Sequence, residues 1–186
     1  MTLLVLGVAL WWVAHLTKRL APSFRASLQE RMGDASKGLF AVMILLSVVL
    51  MTIGYQNYTG TFFWGRNAAL VGINNLLMLV AVYLFAASGA RTRVTKFIRH
   101  PQLTAFKAWA LAHLLVNGDT ASFILFGGLL AWAVVEVIVI NRQTERPAPA
   151  EVYPVRKEVT ALVATVVVFA VISAVHVWLG YNPFGA

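Results

Sequence analysis

Cysteine is absent from all 186 residues, so the chain can form neither a disulfide framework nor a thiolate metal site, and it has no thiol nucleophile. Any metal would have to be held by histidine, carboxylate or methionine. Charge is scarce too: 12% of residues are charged, with 7 Asp and Glu against 15 Lys and Arg. The signatures of soluble enzymes are missing, since there is no glycine-rich phosphate loop, no Ser-His-Asp arrangement and no His-Glu-x-x-His zinc motif. What fills the chain instead is apolar. Hydrophobic residues make up 60% and the mean hydropathy is +0.76, far outside the range of a soluble domain. The composition is that of a multi-pass membrane protein whose main partner is the lipid bilayer.

Apolar segments long enough to span fall at 2–18, 38–55, 67–88, 101–117, 119–141 and 158–180, against a need for about 20 residues each. The expected fold is all-α, a polytopic transmembrane bundle of about six helices. The fourth and fifth segments are joined by little more than Asn117-Gly118-Asp119-Thr120, which predicts an antiparallel hairpin. Basic residues set the orientation. Three loops carry Lys18, Arg19, Arg25, Arg31 and Lys37, then Arg91, Arg93, Lys96 and Arg99, then Arg142, Arg146, Arg156 and Lys157, while the opposite loops carry only Arg66. That asymmetry predicts both termini outside and three cytoplasmic basic loops. It also accounts for the net charge of +8 without invoking nucleic acid. The first segment carries its positive charges after the apolar run, and is expected to be a retained helix, not a secretory signal. Residues 146–157 form a Pro/Ala-rich linker, which divides an expected five-helix unit at 1–145 from a sixth helix and tail at 158–186.

Polar side chains at membrane depth usually face a partner in the bundle interior, so each is a candidate functional residue. At about 100° per residue, His113 shares a helix face with Asn117, Trp109, Phe106 and Gln102, while Lys107 and His100 lie on another. His176 lines up with Ser173, Phe169, Thr165 and Glu158, His15 stacks over Trp11 and Trp12, and the third segment holds Asn67, Asn74 and Asn75. Four histidines in a cysteine-free bundle, with aromatic residues one turn away, suggest a haem pocket. Structural roles compete with this reading. His15 and His176 sit near helix ends where an amphipathic ring is at home, Lys107 can snorkel to headgroups, and Asn117 and Asp119 suit turn and cap chemistry. His113, flanked by apolar residues on both sides, is the hardest to assign to structure alone.

The run Arg99-His100-Pro101-Gln102 followed by Ala112-His113-Leu114-Leu115-Val116-Asn117-Gly118-Asp119, with Val13-Ala14-His15-Leu16 and residues 38–55, resembles the NnrU family of bacterial integral membrane proteins. The resemblance covers roughly 1–145. It implies a haem b-binding protein of the bacterial cytoplasmic membrane, associated with denitrification and nitric oxide metabolism. That family is similar to plant 15-cis-ζ-carotene isomerase, which implies haem-dependent redox or isomerase chemistry, an apolar substrate such as a polyene, and a redox or reductase partner. Carried over position by position, the isomerase's haem ligands match His15 and His113. Its cysteine three residues before the second ligand falls on Ala110, which excludes thiolate exchange here. Arg99, His100, Lys107, Trp109, Asn117 and Asp119 are the expected cofactor-binding residues around them. Depth favours another partner: at 1.5 Å per residue His113 lies about 6 Å below the outer surface and His15 about 20 Å, whereas His176 lies level with His113.

Two other classes remain open. The Arg99-His100-Pro101 motif followed by Asn141-Arg142-Gln143-Thr144-Glu145 is similar to membrane methyltransferases that bind S-adenosylmethionine, with Arg99, His100 and Glu145 in the relevant places. Leu103 and Ala105 depart from that pattern. A non-catalytic assembly factor for a larger reductase is the third reading.

Overall fold

The computed structural model describes residues 1–58, 60–148 and 152–185. The long elements are all helices. Those of Thr2–Leu20 (α1), Ala35–Gln56 (α3), Ala68–Ala90 (α4), Thr120–Gln143 and Val155–Trp178 (α9) are each long and apolar enough to cross a membrane. The chain is therefore a multi-pass membrane protein, its apolar helices suited to a lipid bilayer. The segment expected to span at 101–117 forms a helix, Pro101–Val116 (α6), of only 16 residues. At 1.5 Å per residue it is about 24 Å long, short of a hydrocarbon core of about 30 Å.

Shorter elements appear where the sequence read as loop. Pro22–Met32 (α2) starts on a proline at its first turn, where the missing N–H has no helical partner to lose, and buries none of its residues. It is held by polar contacts: Arg25 donates to the Ser36 hydroxyl at 3.0 Å, and that hydroxyl lies 2.6 Å from Gln29 Oε1. Two short strands, Phe62–Trp64 (β1) and Gly118–Asp119 (β2), and a one-turn helix Val94–Phe97 (α5) complete the connections. The Thr120–Gln143 span is not uniform: Thr120–Ser122 (α7) passes through a π-helical turn at Phe123–Gly127 into Gly128–Gln143 (α8). Of the expected linker at 146–157, residues 149–151 lie outside the described residues, and α9 begins at Val155, three residues earlier than expected.

The chain forms two compact units, Met1–Phe62 with Asp119–Trp132, and Phe63–Gly118 with Ala133–Ala186. In the first, α1 packs along α3 at very close approach. A Cβ built on Gly54 would stand 2.4 Å from the Leu4 backbone nitrogen, and one on Gly7 would stand 2.7 Å from that of Met51. Small residues that let helix backbones meet are the usual basis of packing in lipid, where apolar side chains gain little by leaving the tails. The π turn is tied in by Trp12, whose indole N–H donates to the Gly128 carbonyl at 3.0 Å. Where Asp119 caps α7 it accepts from the Ser122 backbone N–H and the Ser122 hydroxyl, both at 2.8 Å, and Tyr55 meets that hydroxyl at 2.9 Å.

In the second unit α4 packs against both α6 and α9. Asn67 caps α4 by accepting from Leu70 N–H at 2.9 Å. The C-terminal tail is fastened to the same end: Arg66 donates to the carbonyls of Asn182 and Gly185, and Asn75 to that of Pro183. The Trp64 indole reaches the last-turn carbonyls of α6 at Leu114 and Leu115, 3.3 and 3.2 Å away. These orphan carbonyls at a helix end would otherwise lack donors in an apolar medium.

Candidate functional site

Three helices of the second unit enclose an apolar cavity of about 340 Å³. From α4 come Met78, Ala81, Val82, Phe85 and Ala86, from α6 Trp109 and His113, and from α9 Ala164, Val168, Ile172 and His176. The spacing explains the enclosure. Each set recurs at three or four residues, so each helix turns one face to the same space. Small residues at Ala81, Ala86 and Ala164 leave the room, and Phe85 and Trp109 supply aromatic wall. The volume lies at the lower end of the range of about 300–1,000 Å³ for small-molecule sites, which are mostly apolar with a few placed polar groups. Here those placed groups include two imidazoles.

Both histidines are oriented by their own helices. The Nδ1–H of His176 donates to the Ile172 carbonyl at 2.8 Å, one turn back, which leaves Nε2 as the nitrogen carrying the lone pair. Trp109 meets the His113 ring edge-on, with centroids 5.3 Å apart, and Phe106 packs on Trp109 at 5.0 Å. Asn117, at the C-terminal cap of α6, donates its side-chain amide to the His113 carbonyl at 2.9 Å, fixing the helix end on which His113 sits. The stripe on α9 differs from the expected one: His176 faces the cavity with Ile172, Val168 and Ala164, while Thr165 is buried and bonded to the Ala161 carbonyl.

The remaining expected site residues are not among those lining this cavity. His15 belongs to the first unit, where it stacks on Trp11 with centroids 4.1 Å apart, meets Trp132 edge-on at 4.9 Å, and bonds through Nδ1 to the Trp11 carbonyl at 2.9 Å. Asp119, also in that unit, is the α7 cap described above. Arg99 donates to the Thr144 carbonyl at 2.6 Å, and the Nε2 of His100 pairs with the Asn141 side-chain oxygen at 2.9 Å. The two motifs similar to methyltransferases thus meet, through bonds that tie the start of α6 to the end of α8. Lys107 is half-buried in the middle of α6 and does not line the cavity. Ala110 is fully buried and does not line it either.

The sequence reading overlooked α4 as a wall and overlooked Glu136. Glu136 is the one carboxylate inside the Thr120–Gln143 span, and its Oε2 is shut off from solvent. An ionisable group so placed is a functional candidate by default, and a count of carboxylates inside the spans finds it. Among the described residues no group of three or more His, Asp or Glu could hold a metal ion. The cavity offers two imidazoles and no carboxylate.

The curated proteins and the solved structures hold no match to the chain. A family model described as NnrU protein matches residues 3–183, a span that takes in α9 as well as the helices before it. On that match, which covers all but the ends of the sequence, the chain belongs to the NnrU family.

Proposed function

We propose that the protein binds haem b in the cavity between α4, α6 and α9, where His113 and His176 would hold its iron. The observation that carries this reading is the pair of imidazoles, one from α6 and one from α9, lining a single apolar cavity without a carboxylate. Two protein donors are too few for a bare zinc or calcium ion, which takes four or more. They would suffice for an iron whose other donors come from a macrocycle. The donor chemistry fits, and so does the aromatic lining. The lining contains no Lys or Arg, so Arg99 and Lys107, expected from the sequence to bind the cofactor, are not part of it.

Held by these two imidazoles, the group would supply one-electron redox chemistry. The chain's own residues do the rest. The Ile172 carbonyl holds His176 in the tautomer that presents Nε2, as outer-shell acceptors do for metal-bound histidines. Trp109 restricts the His113 ring, Asn117 holds its helix end, and the aliphatic faces of α4 and α9 exclude water. The role in nitric oxide-linked redox metabolism rests on the family resemblance. So does placement in a bacterial cytoplasmic membrane. We extend the topology to six spans, with α6 as a short sixth crossing and the three basic loops in the cytoplasm, on the strength of the Lys and Arg asymmetry.

The test is the oxidised and reduced absorption spectrum of protein purified after expression with ample haem. A Soret band with low-spin bis-imidazole character is expected, lost in both His113→Ala and His176→Ala and retained in His15→Ala. No bound haem, or a low-spin signal that survives His176→Ala and disappears in His15→Ala, would overturn the assignment. Calorimetric binding of S-adenosylmethionine by haem-free protein would favour the methyltransferase reading instead.

A further inference from the structure

A second cavity, of about 610 Å³ and open to solvent, lies in the same unit where the C-terminal end of α4 meets the N-terminal end of α9, lined by exposed Gly89, Arg91, Arg156 and Thr160 and half-buried Ala90 and Lys157. Its charge is one-sided. None of its three cations forms an ion pair among the described residues, where the single ion pair joins Lys37 to Asp34. The nearest carboxylate in sequence, Glu158, accepts from the Arg93 backbone N–H at 2.7 Å, and the Thr160 hydroxyl donates to the Arg156 carbonyl at 2.8 Å.

Local physics argues against two of these cations and against any side chain at the third position. Arg91 caps α4 in the left-handed conformation, φ 57° and ψ 58°, at a position glycine normally takes because a Cβ is penalised there. Arg156 and Lys157 stand in the first turn of the 24-residue α9, beside the positive end of the helix dipole. That turn's N-cap, Pro154, makes no side-chain capping bond. α9 thus places two cations where its own dipole disfavours them, and α4 places a third at a cap strained for any side chain, around one cavity beside Gly89 and Ala90. An anion there would meet three positive side chains and a helix N-terminus together.

We propose that this cavity binds a phosphate-bearing anion, the headgroup of an anionic phospholipid or a free phosphate. Basic pockets between membrane helices suit phosphate headgroups, with each Lys or Arg near the surface contributing about a fivefold gain in affinity. The inference does not depend on haem.

The experiment titrates the full chain in dodecylmaltoside with dihexanoylphosphatidylglycerol, inorganic phosphate or dihexanoylphosphatidylcholine, following heat of binding and Tm. Binding of phosphatidylglycerol alone assigns the site to lipid, and binding of phosphate as well assigns it to the anion itself. Arg91→Gly is expected to keep or raise the Tm of ligand-free protein while weakening anion binding about fivefold, and Arg156→Gln with Lys157→Gln about 25-fold. Lys18→Gln with Arg19→Gln is the charge-matched control and should leave binding intact. Equal loss in the control, equal binding of phosphatidylcholine, or no binding of either anion would overturn the proposal.

Discussion

Replacing Gly54 by alanine adds a single methyl group at the tightest point between α1 and α3. That methyl would lie 2.4 Å from the Leu4 nitrogen, 2.7 Å from its Cα and 2.9 Å from its Cβ. Optimal carbon contacts are about 3.5–4.0 Å, so the two helices must separate locally by about 1 Å. Two of those three atoms are backbone, and no rotamer change relieves them. Leu4 is itself fully buried, so the separation also loosens the packing around it. Overpacking of this kind costs about 1–3 kcal/mol. For a chain of this size it should lower Tm by about 2–12 °C, at about 2–4 °C per kcal/mol. Gly72→Ala is the internal control: Gly72 lies in α4 with nothing within 4 Å of a built Cβ, and removing a helical glycine there should gain about 1 kcal/mol. Intrinsic tryptophan fluorescence during a thermal ramp reads both, since the chain has 6 Trp and no cysteine for thiol dyes. If Gly54→Ala melts at or above the Tm of Gly72→Ala, the reasoning about backbone approach is wrong.

Ser122→Ala removes a fully buried hydroxyl that bonds both Asp119 and Tyr55, and should cost about 1–3 kcal/mol in the same melt, whereas exposed Ser23→Ala should fall within about 0.5 kcal/mol of wild type. The cysteine-free background also permits a direct test of orientation. A membrane-impermeant maleimide added to intact spheroplasts should label Tyr181→Cys, which is exposed at the C-terminal tail, and should label Arg142→Cys only after lysis. The reverse pattern would invert the topology.

The long helices were legible because their signal is physical and local. A run of about 20 apolar residues has one stable form in hydrocarbon, in which every backbone group is satisfied internally. The exceptions arose where stability comes from side-chain contacts with residues outside the element itself. Nothing in residues 22–32 announces an apolar face. Yet α2 forms because Arg25 and Gln29 converge on Ser36, and the Arg25 guanidinium also sits 4.3 Å above the Phe40 ring. The π turn likewise depends on Trp12, more than a hundred residues away along the chain, donating to Gly128. Hydropathy sees an unbroken span there, since one irregular turn leaves composition unchanged.

The polar residues of α6 and its flanks divide by what they bond. Arg99 and His100 are engaged with Thr144 and Asn141 at one end, and Asn117 closes the other. Those bonds are needed by any short helix whose ends must be satisfied where donors and acceptors are few. His113 differs from them in facing a cavity, and that difference was invisible along the helix, because a helix wheel gives a residue's neighbours on its own face and not what lies opposite. The opposite walls come from α4 and α9, whose contributions are plain aliphatic residues apart from Phe85 and His176. Depth counting could pair His113 with His176 because it compares distances across helices, even without knowing which helices touch. Position-by-position transfer from the isomerase named His15, which in this chain is packed between Trp11 and Trp132 in the other unit. Under the proposed haem binding the two pairings make opposite demands on a single variant: by the depth argument His15→Ala would leave the haem spectrum unchanged, and by the transfer argument it would abolish the bis-imidazole signal.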